Sequence, residues 1–274
     1  MNKRNGNIIF FLMISFLLSV NLNAQGLKKH FKELPKKFKS SEKQQKYLVT
    51  IEWKNRDLDG NLFNHYSVQA KYTKGLENDY VIWNDVEMTE FKDTIAKVNA
   101  LPELDNLTYK IEGDNFTKEE FYKNFPQQNL DLIRWFVQDA VGIETYGLMF
   151  FDSLKFNKVL YPDFFKNQKA DFENYVNFNT RELSLCWTGI SERNDEICAL
   201  IHYQGMYNPV DSDTEAMKIN GRSCFWGDVY VSYEDKDIEY ATMYEDLVFK
   251  IFIPANNFEQ RMNLQRKVKF EKIP

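Results

Sequence analysis

The chain has few of the residue types that most often carry out chemistry. It contains three His and three Cys in 274 residues. It has no HExxH segment and no paired CxxC motifs, so it offers zinc no ligand set. GxSxG, P-loop and GxGxxG motifs are also absent, which removes the commonest signals of hydrolases and of nucleotide-binding proteins. The sequence therefore predicts no catalytic residue, no metal and no cofactor, and it favours a protein that is not an enzyme.

Basic residues are in the minority as well. There are 35 Lys and Arg against 40 Asp and Glu, and the formal net charge is −5. Nucleic-acid binding depends on basic side chains that displace counterions, so we expect no nucleic-acid partner. Aromatic residues are abundant, with 23 Phe, 15 Tyr and 5 Trp. Many of them lie in alternating segments, where they favour strands over helices.

Only one long apolar run is present, and it lies near the N-terminus. Lys3 and Arg4 precede an apolar stretch over residues 8–20, and a small residue, Ala24, follows at the place expected for cleavage. The stretch is shorter than the roughly 20 residues of a transmembrane helix. We therefore interpret residues 1–24 as a cleaved signal peptide. The mature chain is expected to be exported, periplasmic or extracellular, and to have no transmembrane span.

A basic arm, residues 25–46, follows the predicted signal. Leu27, Phe31 and Leu34 fit one face of a helix, but Pro35 ends that pattern. A basic amphipathic segment of this kind favours weak contact with an anionic membrane surface. The alternative is a solvated leader, because so short a helix is unstable in isolation.

Strand-like alternation dominates residues 47–274, which we interpret as a single domain. The Asp59-Gly60 pair lies between two alternating segments and marks a hairpin turn. Short connections in the C-terminal half predict an antiparallel meander. Strands are predicted within residues 46–53, 64–73, 80–88, 107–113, 173–179, 181–190, 196–205, 223–234, 237–253 and 265–273.

Helical patterns are confined to the middle of the chain. Residues 117–120 read as a capping box that opens a short helix before Pro126. Residues 129–141 carry an apolar stripe, with Asn129 as the expected N-cap. The predicted fold is α+β: a mainly antiparallel, curved sheet, half-barrel or sandwich-like, with a central helical segment that covers one face. This layout resembles that of half-barrel carriers of lipoproteins and lipids in bacterial envelopes, in architecture alone.

The segment CFWGDVYVSYEDKDIEYA, residues 224–241, predicts a hairpin whose turn spans Glu234 to Asp237. Pairing Tyr233 with Ile238 gives one apolar face and one mixed face, and the mixed face carries more apolar surface than contact with water requires. Either packing under the helices or a partly covered cavity accounts for that surface. On the cavity interpretation the protein is a non-catalytic binding or carrier protein for an apolar or amphipathic small molecule. The predicted lining residues are Trp226, Tyr230, Met243, Trp135 and Phe136.

Two other functions remain open. In the same pairing Asp228 and Glu245 are diagonal neighbours, and two carboxylates beside a sugar are the minimum apparatus of a glycosidase. A glycan-binding or glycan-hydrolysing secreted protein predicts exposed, coplanar aromatic rings beside these acids. The third alternative is an envelope scaffold or interaction protein without a small ligand.

The remaining reactive residues have simpler interpretations. Cys186, Cys198 and Cys224 are interpreted as free buried thiols, although a disulfide that includes Cys224 stays open. His202 is expected to be structural, since Cys198 lies too far along the same strand to pair with it. Residues 55–60 match the start of a calcium loop, but Tyr66 occupies the position where such a loop has Glu.

Overall fold

The computed structural model describes residues 29–39, 44–92, 95–172 and 176–274. Within these ranges the fold is α+β, and its main element is one open, antiparallel sheet of thirteen strands. The predicted signal peptide lies outside the described residues. The strands are β1 (Gln45–Arg56), β2 (Leu62–Lys74), β3 (Val81–Lys92), β4 (Ile95–Ala100), β5 (Leu107–Tyr109), β6 (Val159–Leu160), β7 (Gln168–Phe172), β8 (Val176–Thr180), β9 (Leu183–Arg193), β10 (Glu196–Asp213), β11 (Lys218–Ser232), β12 (Ile238–Ile253) and β13 (Phe258–Ile273).

The sheet joins two meanders through the first and last strands. Its order is β4-β3-β2-β1-β13-β12-β11-β10-β8-β7, with β5 on β3, β9 on β10 and β6 on β9. Strands β1 and β13 pair from Lys46 with Ile273 to Arg56 with Asn263. The predicted Asp59-Gly60 hairpin and the predicted C-terminal meander are both present, because short connections allow only antiparallel neighbours.

The helices are α1 (Glu119–Tyr122) and α2 (Leu130–Leu148). The predicted helix ends later than expected because the buried stripe continues through Ile143 and Gly147. A Cβ at Gly147 would lie 2.7 Å from Val229, so the helix approaches β11 closely there. The two side chains that were expected to cap the helices form other hydrogen bonds instead. Asn129 donates to Glu103 at 2.7 Å, and Thr117 donates to the carbonyl of Asp114 at 2.9 Å.

Helix α2 lies on one face of the sheet and is held there by apolar contact. Phe136 stacks on Trp83 of β3, with ring centroids 4.5 Å apart. Tyr146 stacks on Phe225 of β11 at 5.7 Å. These rings belong to a single cluster of buried side chains that includes both halves of the sheet. Each fully buried side chain of this kind contributes about 1.5–3 kcal/mol, so the cluster is the main source of stability.

The described part of the basic arm packs on the protein. Only Lys29–Phe31 form a helical turn. The ring of Phe31 contacts Phe156 at 4.7 Å, and Leu34 is buried. The backbone N–H of Lys39 donates to the carbonyl of Glu234 at 2.7 Å. Phe31 and Leu34, the described apolar residues of the predicted helical face, are therefore used within the protein.

The register of β11 with β12 differs by one residue from the predicted one. Val231 pairs with Ile238, and a bulge then shifts the ladder so that Tyr230 pairs with Tyr240 and Asp228 with Thr242. Because successive side chains alternate between faces, a shift of one residue moves the side chains of β12 to the opposite face. We call the face that packs on α2 the inner face and the opposite one the outer face.

Candidate functional site: an apolar face beyond the helix

The register divides the five predicted lining residues between the two faces. Trp226 and Tyr230 lie on the outer face, paired with Tyr244 and Tyr240. Met243 lies on the inner face and is buried in the core.

The two predicted helix residues also differ in their surroundings. Phe136 is fully buried under α2. Trp135 is only partly buried and contacts Trp53 of β1 at 5.4 Å. The five residues therefore do not line one cavity, and Trp135 alone borders an open cleft, described below.

The same register separates the predicted acid pair. Asp228 is on the outer face, where its carboxylate contacts Nδ1 of His202 at 3.0 Å. Glu245 is on the inner face, where it accepts from the Ser223 hydroxyl at 2.6 Å and from Nε of Arg266 at 2.8 Å. The expectation of diagonal neighbours is wrong, because the sheet itself lies between the two carboxylates.

Glu245 belongs to a buried ionic cluster between α2 and the sheet. Arg266 of β13 also donates to Asp139 of α2 at 2.7 Å, and its guanidinium lies 5.0 Å from the ring centroid of Trp135. Burial raises the pKa of Asp139 to about 6, although Arg266 acts in the opposite direction. Two carboxylates therefore share one arginine, and the cluster links α2 to the sheet.

The inner face continues past this cluster as an apolar surface. From Glu245 onward, alternate residues of β12 and their partners on β11 and β13 share the face of the core. We call the apolar members of this surface the apolar extension: Ile219, Leu247, Phe249, Ile251, Met262 and Leu264. Leu264 is buried and the other five are partly exposed. In the described part of the chain, none of the six belongs to the core cluster or to the partly buried side chains that pack on it.

The outer face of the same strands has the opposite character. The side chains that alternate with the apolar extension are mainly charged or amide-bearing. They are Lys218, Asn220, Arg222, Asp246, Lys250, Glu259, Arg261, Asn263 and Gln265. Val248 and Phe252 are the apolar members of this face. A sheet with one face in the core and one in water shows this pattern. The contacts of α2 with β13 are made by Arg266, which lies next to the apolar extension on the inner face.

A cleft of about 400 Å³ opens beside the N-terminal end of α2. Its apolar wall comes from Trp53 and Met88 on the sheet and from Leu130, Leu132 and Trp135 on or near the helix. Its polar rim contains Gln127, Gln128, Asn129 and Asp131. Asn55, two residues beyond Trp53 on β1, pairs with Leu264, so the cleft and the apolar extension are neighbours on the inner face.

The outer face carries a separate row of aromatic rings and cations. Trp226 and Tyr244 have nearly parallel rings, with an interplanar angle of 18° and centroids 6.0 Å apart. Lys267 lies 5.7 Å from the centroid of Tyr244. Further along, the guanidinium of Arg193 lies 4.7 Å from Tyr230 and 4.6 Å from Tyr240. Cation–π contacts of this kind hold the rings in fixed orientations on an exposed face.

Among the described residues, one group of carboxylates is close enough to share a cation: Glu196, Asp235 and Glu239. Glu239 accepts from Lys272 at 2.5 Å and from Asn194 at 2.9 Å. Glu196 accepts from the hydroxyl of Ser232, and Asp235 accepts from the backbone N–H of Asp237 at 2.9 Å. Each of the three carboxylates therefore already has a partner within the protein. The calcium-like Asp57 behaves similarly, since its carboxylate accepts from the backbone of Asp59 and Asn61 and so forms a turn.

All three cysteines are free. Cys198 is fully buried, and burial raises the pKa of its thiol to about 12, which keeps it protonated. Cys186 pairs with His202 across β9 and β10 and lies away from Cys198. The sulfur of Cys224 accepts from the backbone N–H of Tyr207 at 3.4 Å. These positions agree with the interpretation of the cysteines as unpaired thiols.

Sequence reasoning missed the apolar extension although its signal was present. In the stretch EDLVFKIFI every odd position from Leu247 to Ile253 is apolar, and Val248 and Phe252 at even positions are apolar as well. This pattern predicts a strand whose odd-numbered face is apolar along its whole length. The sequence pattern does not show where α2 lies on the sheet. The part of the apolar face that extends beyond α2 could therefore not be recognised.

Comparisons with known proteins do not identify a family. No protein-family model matches the chain, and no curated protein matches its sequence. A structure of lipovitellin that concerns its lipid–protein interactions is 14% identical over 87% of this chain, with a TM-score of 0.40. A structure assigned to AttH from Nitrosomonas europaea is 8% identical over 82% of this chain and 75% of that protein, with a TM-score of 0.20. The chain spans only 26% of lipovitellin, and neither likeness is close enough to support an argument. Within the described residues, no helix is both long and apolar enough to cross a membrane.

Proposed function

We propose that the protein is a non-catalytic binding or carrier protein for an apolar or amphipathic molecule, which binds on the inner face beyond α2. The observation that carries this proposal is the apolar extension. Phe249 and Ile251 share a face with the core, they are partly exposed, and among the described residues they belong neither to the core cluster nor to the side chains that pack on it. A ligand that covers these side chains would remove apolar surface from water, which contributes roughly 25 cal/mol per Å².

The cleft supports a ligand that is amphipathic. Trp53, Met88 and Trp135 offer an apolar wall, and the amides of Gln127 and Gln128 lie at its rim. Binding sites for small molecules combine a mainly apolar lining with a few polar groups that fix orientation. An acyl chain on the apolar extension, with a polar group at the cleft rim, matches this distribution.

The contacts of α2 support a sheet that curves around the helix. Phe136 and Tyr146 contact Trp83 on β3 and Tyr203 on β10. The two helix residues are ten positions apart, or about 15 Å along the axis. Strands β3 and β10 are six spacings apart in the sheet order, or about 29 Å if the sheet were flat. A curved sheet would bring the two strands within reach of one short helix, and it would make the inner face a concave groove.

A matched pair of double variants on β12 tests the proposal. Phe249→Ser with Ile251→Ser changes the inner face, and Val248→Ser with Phe252→Ser changes the outer face of the same stretch. All four side chains are partly exposed. Binding of a long-chain fluorescent fatty acid is measured by titration, and co-purified ligand is measured by native mass spectrometry. We expect the inner-face variant to bind at least about tenfold more weakly and the outer-face variant to bind like the wild type. Equal loss in both variants, or no binding by the wild type, would contradict the proposal.

A second candidate function is glycan binding on the outer face. The near-parallel rings of Trp226 and Tyr244 favour it, since Trp226 is 37% exposed and Asp228 lies on the same face. Flat aromatic surfaces beside hydrogen-bonding groups can stack on sugar rings. A glycan array compared between the wild type and Trp226→Ala tests this function. Loss of a specific signal in the variant would support it, and the absence of any signal in the wild type would exclude it for the glycans on the array.

A further inference from the structure

Several exposed apolar side chains lie at the tips of two neighbouring hairpins, at the end of the sheet where the apolar extension finishes. Leu58, Leu62 and Phe63 come from the β1–β2 tip and are 54%, 47% and 47% exposed. Phe258 starts β13 at the β12–β13 tip and is 43% exposed. Exposed large apolar side chains gathered in one region mark an interaction surface.

The two tips are adjacent in space. A shallow recess between them is lined by Asp57, Leu58 and Asp59 from one tip and by Glu259, Gln260 and Arg261 from the other. Strands β1 and β13 are neighbours in the sheet, which places their turns side by side. The apolar side chains therefore belong to one edge of the protein.

The β1–β2 tip is a built turn that holds Leu58 outward. The Asp57 carboxylate accepts from the backbone N–H groups of Asp59 and Asn61 at 2.9 and 2.8 Å. Arg56 donates to the carbonyl of Gly60 at 2.9 Å. The polar side chains are thus used to shape the turn, while Leu58 at its apex has no buried position in the fold.

We infer that this edge is a membrane-docking surface that inserts Leu58, Phe63 and Phe258 into a lipid surface, and through which the apolar ligand enters. The inference rests on the proposed function. Two observations select a bilayer as the occupant. The apolar face of β12 reaches Ile253, which pairs with Phe258 at the tip, so ligand could pass between bilayer and groove along an almost continuous apolar path. The charges at the tips are balanced, and Lys250 pairs with Glu259 at 2.9 Å.

This balance of charge indicates the kind of membrane. The two tips carry Arg56, Lys250 and Arg261 together with Asp57, Asp59 and Glu259, so the numbers of basic and acidic residues are equal. Docking would then depend on apolar insertion, and a zwitterionic surface suffices. This edge also differs from the basic arm, whose Phe31 and Leu34 pack within the protein.

Flotation with phosphatidylcholine vesicles tests the inference in the full chain. The triple variant Leu58→Ser, Phe63→Ser, Phe258→Ser removes the apolar tips. The control Val159→Ser, Tyr161→Ser, Phe164→Ser removes three side chains of similar exposure, 54–55%, elsewhere on the protein. We expect the tip variant to partition at least about tenfold less than the wild type and the control to partition normally. A Phe63→Trp variant gives a second readout, because its fluorescence should shift to the blue when vesicles are added.

The outcomes separate the two proposals when fatty-acid titration is run on the same variants. Loss of vesicle binding with normal fatty-acid binding in the tip variant would support the docking surface. A wild type that binds the fatty acid but not vesicles would overturn the docking surface and leave the proposed function standing. Vesicle binding by the tips without fatty-acid binding would support docking and overturn the carrier function. A wild-type dimer that dissociates in the tip variant, seen by light scattering, would show that a second copy covers this edge and would overturn the membrane inference.

Discussion

Arg266 of β13 donates through Nη2 to Asp139 of α2 at 2.7 Å, in a place where both side chains are almost fully buried. The same guanidinium donates to Glu245 at 2.8 Å. One cation thus links the helix to the sheet and compensates two acids. The link lies between the core that α2 covers and the apolar extension. Loss of the link would therefore change the position of α2 relative to the proposed groove.

Replacement of Arg266 by Met should be strongly destabilising. It would leave Asp139 and Glu245 buried without their counterion, and breaking a buried ion pair in this way costs about 3–5 kcal/mol. Urea unfolding of the variant measures the loss. The triple variant Arg266→Met, Asp139→Asn, Glu245→Gln should recover most of the stability, because no buried charge is then left without a partner. A mild effect of Arg266→Met alone would show that solvent reaches the cluster.

Asp139 should give the stability a distinctive dependence on pH. Burial raises its pKa to about 6, above the value of roughly 3.9 expected in an unfolded chain. Between those values the folded state binds more protons, so the contribution of Asp139 to the free energy of unfolding decreases as pH rises through this window. Burial is the main cause of this raised pKa; Arg266, which faces the carboxyl, lowers the pKa, and the negative charge of Glu245 raises it further.

The variant Asp139→Asn isolates that contribution. The free energy of unfolding of the wild type, measured relative to that of the variant, should decrease from pH 4 to pH 7 and stay constant above pH 7. Denaturant unfolding at matched pH values provides the measurement. A difference that does not change with pH would show that Arg266 holds Asp139 ionised throughout.

Much of the fold could be predicted because its signals are local. The alternation in residues 46–53 and the Asp59-Gly60 turn each follow from neighbouring residues, and so does the apolar stripe of α2. The pairing of β1 with β13 could not be predicted, because it joins segments more than 200 residues apart and no short motif specifies it. The ionic cluster was missed for the same reason, since Asp139, Glu245 and Arg266 come from three separate elements.

The candidate site was harder to predict because it depends on register. Glu239 is the extra residue of a bulge between the Val231–Ile238 and Tyr230–Tyr240 pairs, and this one residue decides whether Glu245 shares a face with Asp228 or lies on the other face. The sequence pattern alone does not reveal such a bulge, because residues of the types found at Val231 and Tyr230 are common on either face of a strand. Trp135 was predicted to line a ligand site because it lies on the amphipathic helix 129–141, and it borders the cleft. Its place on the helix does not depend on strand register.

Cys198 should resist alkylation in the native protein. It is fully buried, and its raised pKa keeps the thiol protonated at neutral pH. Cys186 and Cys224 are partly exposed and should react first with iodoacetamide. Mass spectrometry after timed labelling gives the order of reaction. Early labelling of Cys198 under native conditions would show that β10 opens locally, since access to the thiol requires the strands to separate.

Gly227 should be intolerant of any side chain. It pairs with Tyr203 across β10 and β11, and the Tyr203 hydroxyl passes over it to donate to the carbonyl of Thr242 at 3.0 Å. A Cβ at this position would lie 1.9 Å from that carbonyl oxygen and 2.7 Å from the hydroxyl. Gly227→Ala must therefore displace the tyrosine and the strand. Overpacking costs about 1–3 kcal/mol, and the lost hydrogen bond about 1 kcal/mol more.

Gly189→Ala is the matched control for this effect. Gly189 also lies in a strand of the same sheet, but its added Cβ would meet only Leu200, at an ordinary 3.8 Å. Thermal unfolding should show a clear loss of stability for Gly227→Ala and little change for Gly189→Ala. Because Tyr203 contacts Tyr146 of α2 at 4.6 Å, its displacement should also loosen the C-terminal half of the helix. Faster amide exchange near Tyr146 in the Gly227→Ala variant would register that coupling, and unchanged exchange would show that the sheet absorbs the strain without moving α2.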